Sequence, residues 1–150
     1  MLSEFDKRLL NIVQSDIPLV SRPFAAVADC LGTDEGTVIE RLRFLRDNGF
    51  VRRIGPFFDS ARLGYVSTLV ALAVEPDRLP AVATAVNAFP GVTHNYEREG
   101  AFNLWFALLT PDMAAQEKVL ADVALLPGVE DMLNLPATKK YKVNVRFTLE

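Results

Sequence analysis

The chain has 150 residues, half of them hydrophobic and 23% charged, with a formal net charge of −3. This supplies enough apolar surface for one medium-sized domain or two small ones, and it excludes a disordered or fibrous chain. No apolar run reaches the length of about 18 residues that would span a bilayer, and the acidic N-terminus is unlike a signal peptide. Because Cys30 is the only cysteine, an internal disulfide and a cysteine metal cluster are excluded. We therefore expect a cytoplasmic protein with no membrane partner.

The first 60 residues have the pattern of three short helices followed by a hairpin. A capping box at Ser3 opens the first helix, Pro23 opens the second, and Thr33 is predicted to cap the third. Residues 50–58 are apolar on both sides of a Gly-Pro turn, which predicts a strand, a turn and a second strand. This order predicts a winged helix-turn-helix domain at residues 1–60.

Residues 61–150 change to an alternation of strands and helices. The predicted strands are 65–74, 92–99, 102–109 and 129–135, and the predicted helices are 77–88 and 112–126. The order β-α-β-β-α-β is that of the ferredoxin-like split unit. A Pro-Gly-Val turn occurs after each helix, as two repeated halves would require. The tail, residues 141–149, alternates basic or polar with apolar residues and predicts an extra strand with one wet face.

The segment 91–106 concentrates the residues with distinctive chemistry. It contains the only histidine of the chain, His94, and its only tryptophan, Trp105. Because side chains two residues apart on a strand share a face, His94, Tyr96 and Arg98 are predicted to project together. Two of these groups can transfer protons, and the guanidinium can bind a carboxylate through two parallel hydrogen bonds.

Each of these three residues also has a purely structural interpretation, and the sequence leaves both open. A histidine at the start of a strand often only hydrogen-bonds its neighbours, and a tyrosine there can pack as a half-buried aromatic. Arg98 has an acidic residue on either side, Glu97 and Glu99, and an exposed ion pair with one of them would explain it equally well.

The third helix argues against DNA binding. In helix-turn-helix proteins its N-terminal end approaches bases and phosphates, and here that end carries Asp34 and Glu35, with Glu40 one turn later. Five arginines follow, of which we expect at least one to pair internally: Arg41, Arg43, Arg46, Arg52 and Arg53. We therefore expect the domain to serve dimer packing, and we do not expect DNA as a partner.

The whole chain resembles the Lrp/AsnC family. The residues that carry this resemblance are Leu31-Gly32, Val38, Arg41-Leu42, Leu45, Asn48-Gly49, Phe50-Val51, Arg53 and Leu63-Gly64-Tyr65. That family joins a helix-turn-helix to a ferredoxin-like ligand-binding domain that dimerises through its sheet. Within it, residues 94–98, residues 102–106 and the tail 141–147 are similar to the siroheme decarboxylases, the paired subunits of an alternative heme route with relatives in heme d1 synthesis.

This resemblance implies an α+β fold with a winged helix-turn-helix at residues 1–60 and a catalytic, dimerising ferredoxin-like domain at residues 61–150. It implies an enzyme, a carboxy-lyase that removes CO2 from two acetate side chains of siroheme and works with a homologous partner subunit. It implies no cofactor beyond the iron-containing tetrapyrrole itself, and no protein-bound metal.

The resemblance, together with residue chemistry, implies a set of site residues. His94 and Tyr96 are the expected catalytic residues, and the alternative for His94 is to ligate the siroheme iron. The expected substrate-binding residues are Arg98, Asn95, Asn103, Trp105, Lys139, Lys140, Lys142 and Arg146. For Asn95 and Asn103 the sequence does not separate a substrate contact from turn capping.

Two alternatives of other kinds stay open at this point. The chain could be a transcriptional regulator whose effector is a small metabolite or a heme-type ligand, which the arginines after the third helix favour. It could also be a heme-binding subunit whose partner carries out the chemistry. In that case His94→Ala would abolish heme binding and leave turnover by the paired complex nearly intact.

Overall fold

The computed structural model of the chain describes residues 2–15, 17–55, 58–142 and 147–149. The chain divides into two compact units, of which one is Met1–Pro56 with Lys142–Glu150 and the other is Phe57–Tyr141. The first change of unit lies close to the predicted boundary at residue 60. The end of the chain differs from the prediction, because it clusters with the first unit and not with the sheet. No helix in the described ranges has both the length and the apolarity to cross a membrane.

The described residues of the first unit form the three predicted helices. They are α1, Glu4–Val13, α2, Pro23–Leu31, and α3, Glu35–Asp47. The predicted capping box at Ser3 opens α1, and Gly32 ends α2 in a left-handed conformation with φ of 70°. The predicted cap of α3 at Thr33 is wrong by one residue. Asp34 is the cap, because its carboxylate accepts a 2.9 Å hydrogen bond from the backbone N–H of Thr37.

The core of the first unit is formed where the apolar faces of the three helices meet. Its buried members are Leu9, Val27, Ala28, Leu31, Val38, Leu42 and Leu45. The predicted wing is not formed in the part that is described, since residues 50–55 contain no strand. Instead, the backbone N–H groups of Phe50 and Val51 both donate to the carbonyl oxygen of Leu45, which closes the end of α3.

Residues 147–149 lie along α1 and are held by two side-chain amides. Asn11 exchanges two hydrogen bonds with the backbone of Leu149, at 2.9 and 3.2 Å. Gln14 does the same with the backbone of Phe147, at 2.6 and 2.9 Å. Residues 143–146 of the tail strand predicted at residues 141–149 lie outside the described residues, and the described residues on either side of them form no strand.

Residues 58–142 follow the predicted order β-α-β-β-α-β. The elements are β1, Val66–Val74, α4, Leu79–Asn87, β2, Val92–Glu97, β3, Leu104–Thr110, α5, Met113–Ala124, and β4, Val129–Leu135. A short 3-10 helix, Pro76–Arg78, leads into α4. The four strands described in this range form one antiparallel sheet in the order β2-β3-β1-β4. This confirms the ferredoxin-like prediction for the second unit.

The two repeated Pro-Gly-Val turns connect helix to strand at equivalent places, and each needs its glycine. A Cβ atom on Gly91 would lie 2.3 Å from the carbonyl oxygen of Leu109, and one on Gly128 would lie 2.4 Å from Cβ of Arg78. Both distances are far below van der Waals contact. The turns therefore bring the start of β2 and of β4 closer to neighbouring chain than any other residue type would allow.

Candidate functional site

The sheet has two chemically different faces. Side chains on the face covered by α4 and α5 are buried in the core and include Val70, Leu72, Val74, Leu104, Phe106 and Leu108. The alternate residues form the opposite surface, here called the helix-free face, which includes Ser67, Leu69, Ala71, Trp105, Ala107, Leu109, Leu133 and Leu135. Three of its leucines, Leu69, Leu133 and Leu135, are each about 40% exposed. This second unit therefore carries an apolar surface on the side away from its helices.

A β-bulge in β2 determines on which face of the sheet the His94 side chain lies. In the register of β2 and β3, Val92 lies opposite Leu108 and His94 lies opposite Ala107, so the strand contains one extra residue, Thr93. Val92 packs against the core, and His94 is exposed and faces the other way. In a regular strand the two side chains would share one face, because they are two residues apart. The bulge therefore turns the histidine out of the core and onto the helix-free face.

From His94 onward β2 is regular, and the predicted grouping of side chains is confirmed. The rings of His94 and Tyr96 lie with centroids 6.3 Å apart and planes inclined by 25°. Tyr96 lies directly opposite Trp105, and the guanidinium carbon of Arg98 is 5.8 Å from the centre of the Trp105 ring. These four residues form one continuous surface group, here called the β2 cluster.

The polar groups of the β2 cluster are largely uncommitted. Nδ1 of His94 lies 3.1 Å from the hydroxyl oxygen of Thr93. The other ring nitrogen, Nε2, is therefore available for proton transfer. Tyr96 is 51% exposed. Within the described ranges Arg98 forms no ion pair with Glu97 or with any other acid. The structural alternative for Arg98, an ion pair with an adjacent glutamate, is therefore absent from this part of the chain, and its guanidinium is open to an anion.

The two asparagines of the predicted site have other contacts. Asn95 lies on the covered side of β2, where its Nδ2 donates to the carbonyl oxygen of Ala83 at 3.2 Å and to the side chain of Asn87 at 3.0 Å. It thereby ties β2 to α4. Asn103 uses both amide atoms on the backbone of Val74, with bonds of 2.9 and 2.7 Å. The structure therefore places neither amide on the exposed surface of the β2 cluster.

The predicted basic residues of the tail belong to different parts of the chain. Lys139 and Lys140 are exposed at the end of the second unit, and the Nζ atom of Lys139 lies 4.9 Å from the centre of the Tyr141 ring. Lys142 is exposed and clusters with the first unit. Arg146 lies outside the described residues. Within the described part of the second unit, no hydrogen bond or ion pair links Lys139 or Lys140 to the β2 cluster.

Two parts of this site were not predicted from the sequence. One is Thr93, because an exposed threonine before a histidine gives no signal of a bulge. The other is a depression of about 370 Å³ in the helix-free face, lined by residues of the three neighbouring strands β1, β2 and β3 and of the segment around Leu135. Thr93 and Ala107 lie on its border. Across the described ranges, no group of three or more His, Cys, Asp or Glu side chains is arranged to hold a metal ion.

The first unit contains a buried ion pair that involves one of the predicted arginines. Nε and Nη2 of Arg41 donate to the two carboxylate oxygens of Asp6 at 2.9 and 2.8 Å. The hydroxyl of Ser3 donates to the same carboxylate at 2.7 Å. The hydrogen bonds from Arg41, with a smaller contribution from Ser3, outweigh the effect of burial and lower the pKa of Asp6 to about 2. The expectation that at least one of these arginines pairs internally is confirmed.

Two further arginines of the first unit are also engaged by acids. Arg22 donates to the Glu35 carboxylate through two nitrogens, and this bond raises the pKa of the Arg22 guanidinium. Arg46 forms a 2.9 Å ion pair with Asp47. Positive charge near the beginning and the end of α3 is thereby partly neutralised within the unit itself.

Comparison with known proteins assigns both units. Residues 62–142 match the family model of the AsnC-like ligand binding domain, and residues 6–52 match that of the siroheme decarboxylase NirDL-like HTH domain. The chain is 43% identical over 149 residues to the siroheme decarboxylase alpha subunit of Desulfovibrio desulfuricans. That alignment covers 99% of this chain and 86% of the relative.

Two solved structures extend the comparison. The crystal structure of the siroheme decarboxylase NirDL in complex with an iron-uroporphyrin III analogue matches with a TM-score of 0.72 at 42% identity. The match covers 95% of this chain and 48% of the other, so this chain spans about half the length of NirDL. E. coli AsnC matches with a TM-score of 0.81 at 14% identity, covering 97% of both chains, which supports the fold alone.

Proposed function

The chain belongs to the siroheme decarboxylase family, and we propose that it is one subunit of an enzyme that converts siroheme to didecarboxysiroheme. Two acetate side chains of siroheme each lose CO2 and become methyl groups, in the biosynthesis of heme or heme d1. The enzyme acts in the cytoplasm as a complex of this chain with a homologous partner subunit.

The reaction makes three demands on the protein. The bond between the methylene carbon and the carboxylate breaks, CO2 leaves, and the electron pair stays on the methylene carbon. The conjugated macrocycle delocalises this charge, so that the substrate acts as its own electron sink and no further cofactor is needed. The protein must hold a flat, strongly anionic molecule, keep the reacting acetate in place and deliver one proton to the carbon.

The β2 cluster is the observation that carries this proposal. It presents on one exposed face a histidine, a tyrosine, a guanidinium without an ion-pair partner in the described ranges and an indole ring. His94 is the proton donor, because histidine changes its charge near neutral pH. Tyr96, whose ring lies beside it, fixes the reacting carboxylate or passes on a proton. Arg98 binds a second carboxylate in bidentate fashion.

The surroundings of the β2 cluster suit a tetrapyrrole. Trp105 and the apolar residues of the helix-free face offer a flat, weakly hydrated surface on which a macrocycle can lie. The carboxylates at its rim then need cations around that surface. We propose that Lys139 and Lys140, which are exposed in the same unit, take this role in addition to Arg98. The same role for Lys142 and Arg146 stays a prediction from the sequence.

The regulator alternative is weaker because of the first unit. A DNA-binding domain gains most of its affinity by neutralising phosphates with free cations. Here Arg22 and Arg41 are held by Glu35 and Asp6, and Asp34 caps the helix that would enter the groove. We propose that this unit serves packing in the complex.

The proposal is tested by anaerobic incubation of the chain with siroheme, alone and together with its partner subunit, followed by mass analysis of the tetrapyrrole. We expect the loss of one or two CO2 groups, abolished by His94→Ala and reduced by Arg98→Ala. Arg62→Ala is a matched control, since Arg62 is exposed in the same unit and lies outside the β2 cluster. Intact siroheme after incubation with the folded wild-type complex would contradict the proposal.

A further inference from the structure

We propose that Asn103 is a positioning residue that holds Arg98 and Trp105 in the arrangement needed to bind a carboxylate, and that it does not itself contact the substrate. The consequence for catalysis rests on the proposed function. The structural part of the inference does not, and it can be tested in the absence of siroheme.

The side chain of Asn103 supplies the hydrogen bonds that a further residue pair of the sheet would otherwise make. The ladder between β1 and β3 ends at the pair formed by Leu72 and Leu104, and β1 continues for two more residues. The Asn103 amide bridges this gap. Its Oδ1 accepts from the backbone N–H of Val74 at 2.9 Å, and its Nδ2 donates to the carbonyl oxygen of Val74 at 2.7 Å. One side chain thus satisfies both backbone groups of a buried residue, which would otherwise lose their hydrogen bonds.

The backbone around Asn103 extends this connection to the β2 cluster. The carbonyl oxygen of Asn103 accepts from the backbone N–H of Arg98 at 2.9 Å, which closes the hairpin between β2 and β3. The carbonyl oxygen of the preceding residue, Phe102, accepts from the indole Nε1 of Trp105 at 2.7 Å. Arg98 is therefore hydrogen-bonded to Asn103, whose side chain is attached to β1. Trp105 is hydrogen-bonded to Phe102, the residue directly before Asn103.

Among the described residues, the Asn103 amide is the one side chain near the hairpin tip that hydrogen-bonds to β1. The tip turns at Gly100, whose φ of 123° is accessible to glycine and strained for other residues. Residues 98–101 are exposed. Without the Asn103 amide, we expect residues 98–103 to move away from β1. Their other hydrogen bonds, from the Arg98 N–H to the Asn103 carbonyl and from the Trp105 indole to the Phe102 carbonyl, lie within the hairpin itself. The guanidinium of Arg98 would lose its place above the Trp105 ring.

This arrangement explains why a fixed arginine is useful at that point. An arginine already ordered against an indole ring loses less side-chain entropy when it binds a carboxylate than a free one does. The ordering of Arg98 against the indole ring should therefore increase the affinity for the substrate. His94 lies on the other half of β2, which its ladder with β3 holds independently of the hairpin tip. We accordingly expect Asn103→Ala to raise KM for siroheme and to leave kcat nearly unchanged.

The first test uses Trp105 as a probe, which is possible because it is the only tryptophan of the chain. In the full-length purified chain, Asn103→Ala should shift the Trp105 emission to longer wavelength and increase its quenching by acrylamide. Asn134→Ala is the matched control. It removes a comparable asparagine bond, the one that Asn134 accepts from the Thr68 hydroxyl at 2.5 Å, and should leave Trp105 emission unchanged. Unchanged emission in Asn103→Ala, or an equal shift in both variants, would overturn the inference.

A second variant covers the case in which Asn103→Ala does not fold. Asn103→Asp keeps the acceptor for the Val74 N–H and places a carboxylate oxygen against the Val74 carbonyl, so it should loosen the same hairpin in a side chain of the same shape. A folded Asn103→Asp protein with wild-type Trp105 emission and acrylamide quenching would equally overturn the inference.

The functional part is tested by titrating siroheme and following the quenching of Trp105 emission. We expect Arg98→Ala and Asn103→Ala each to weaken binding about tenfold, the loss of one charge-assisted contact, and the double variant to bind no more weakly than Arg98→Ala alone. Additive losses would overturn the positioning role. Failure of the wild-type complex to decarboxylate siroheme would instead refute the proposed function, and the Trp105 result of the first test would be unaffected.

Discussion

The buried ion pair of the first unit makes a quantitative prediction about stability. The carboxylate of Asp6 is 1% exposed and accepts two hydrogen bonds from Arg41 and two from Ser3. The substitution Asp6→Asn preserves the size and most of the acceptor geometry of this side chain and removes its charge. It therefore isolates the contribution of the ionised carboxylate.

The magnitude follows from the pKa of Asp6, which is lowered from 3.8 to about 2 in the folded protein. A shift of nearly two pH units corresponds to about 2 kcal/mol, at about 1.4 kcal/mol per unit. Because the folded-state pKa is the lower one, this stabilisation is fully present above the unfolded-state value, near pH 4. It is lost as the pH falls through about 2, where the folded protein also takes up the proton.

The assay is urea unfolding followed by far-UV circular dichroism, from neutral pH down to about pH 2. We expect wild type to exceed Asp6→Asn by about 2 kcal/mol at neutral pH, and the difference to close below about pH 4. Asp47→Asn is the control, because the pair of Asp47 with Arg46 is exposed on both sides and should have no measurable effect. A difference that is absent at neutral pH, or that persists unchanged at pH 2, would refute the reasoning.

Three further predictions concern other parts of the chain. Gly91→Ala should destabilise the protein by about 1–3 kcal/mol in thermal or urea unfolding, because its Cβ would meet a backbone carbonyl oxygen. The control Gly55→Ala should be neutral, because its Cβ would meet nothing within 4 Å. Equal effects of the two substitutions would contradict the packing argument. Thr93→Val should lower kcat several-fold with KM unchanged, because it removes the hydroxyl that lies 3.1 Å from Nδ1 of His94. An unchanged kcat would exclude this role. Fluorescence anisotropy with duplex DNA at low salt should show no binding by wild type. Asp34→Asn should show increased non-specific binding, because one charge that repels phosphates is removed. Tight, strongly salt-dependent binding by wild type would contradict the packing role of the first unit.

Elements with strong periodicity were predictable from the sequence. The three helices of the first unit and the six elements in residues 58–142 arise where predicted, since apolar spacing and turn residues agree with one another there. The cap of α3 was misplaced because Thr33 and Asp34 are both good caps, and only the observed bond to Thr37 decides between them. The prediction of a first wing strand was wrong, because the backbone of the apolar residues after α3 hydrogen-bonds to the end of that helix.

The candidate site was predictable to a smaller extent. Alternation along one strand correctly grouped His94, Tyr96 and Arg98. It could not reveal the bulge at Thr93, because a bulge depends on pairing with another strand. For the same reason the sequence could not show that Asn103 is engaged by Val74, a residue 29 positions away. Contacts across the sheet, and not local pattern, decide both.

The central claim is that His94 donates the proton that completes decarboxylation, and one paired measurement tests it most directly. Siroheme affinity and CO2 release should be measured on the same preparation of the complex of this chain with its partner subunit, for wild type and for His94→Ala. We expect His94→Ala to bind siroheme within a few-fold of wild type and to release no CO2. Undiminished CO2 release by His94→Ala, or a loss of turnover explained entirely by lost binding, would contradict it.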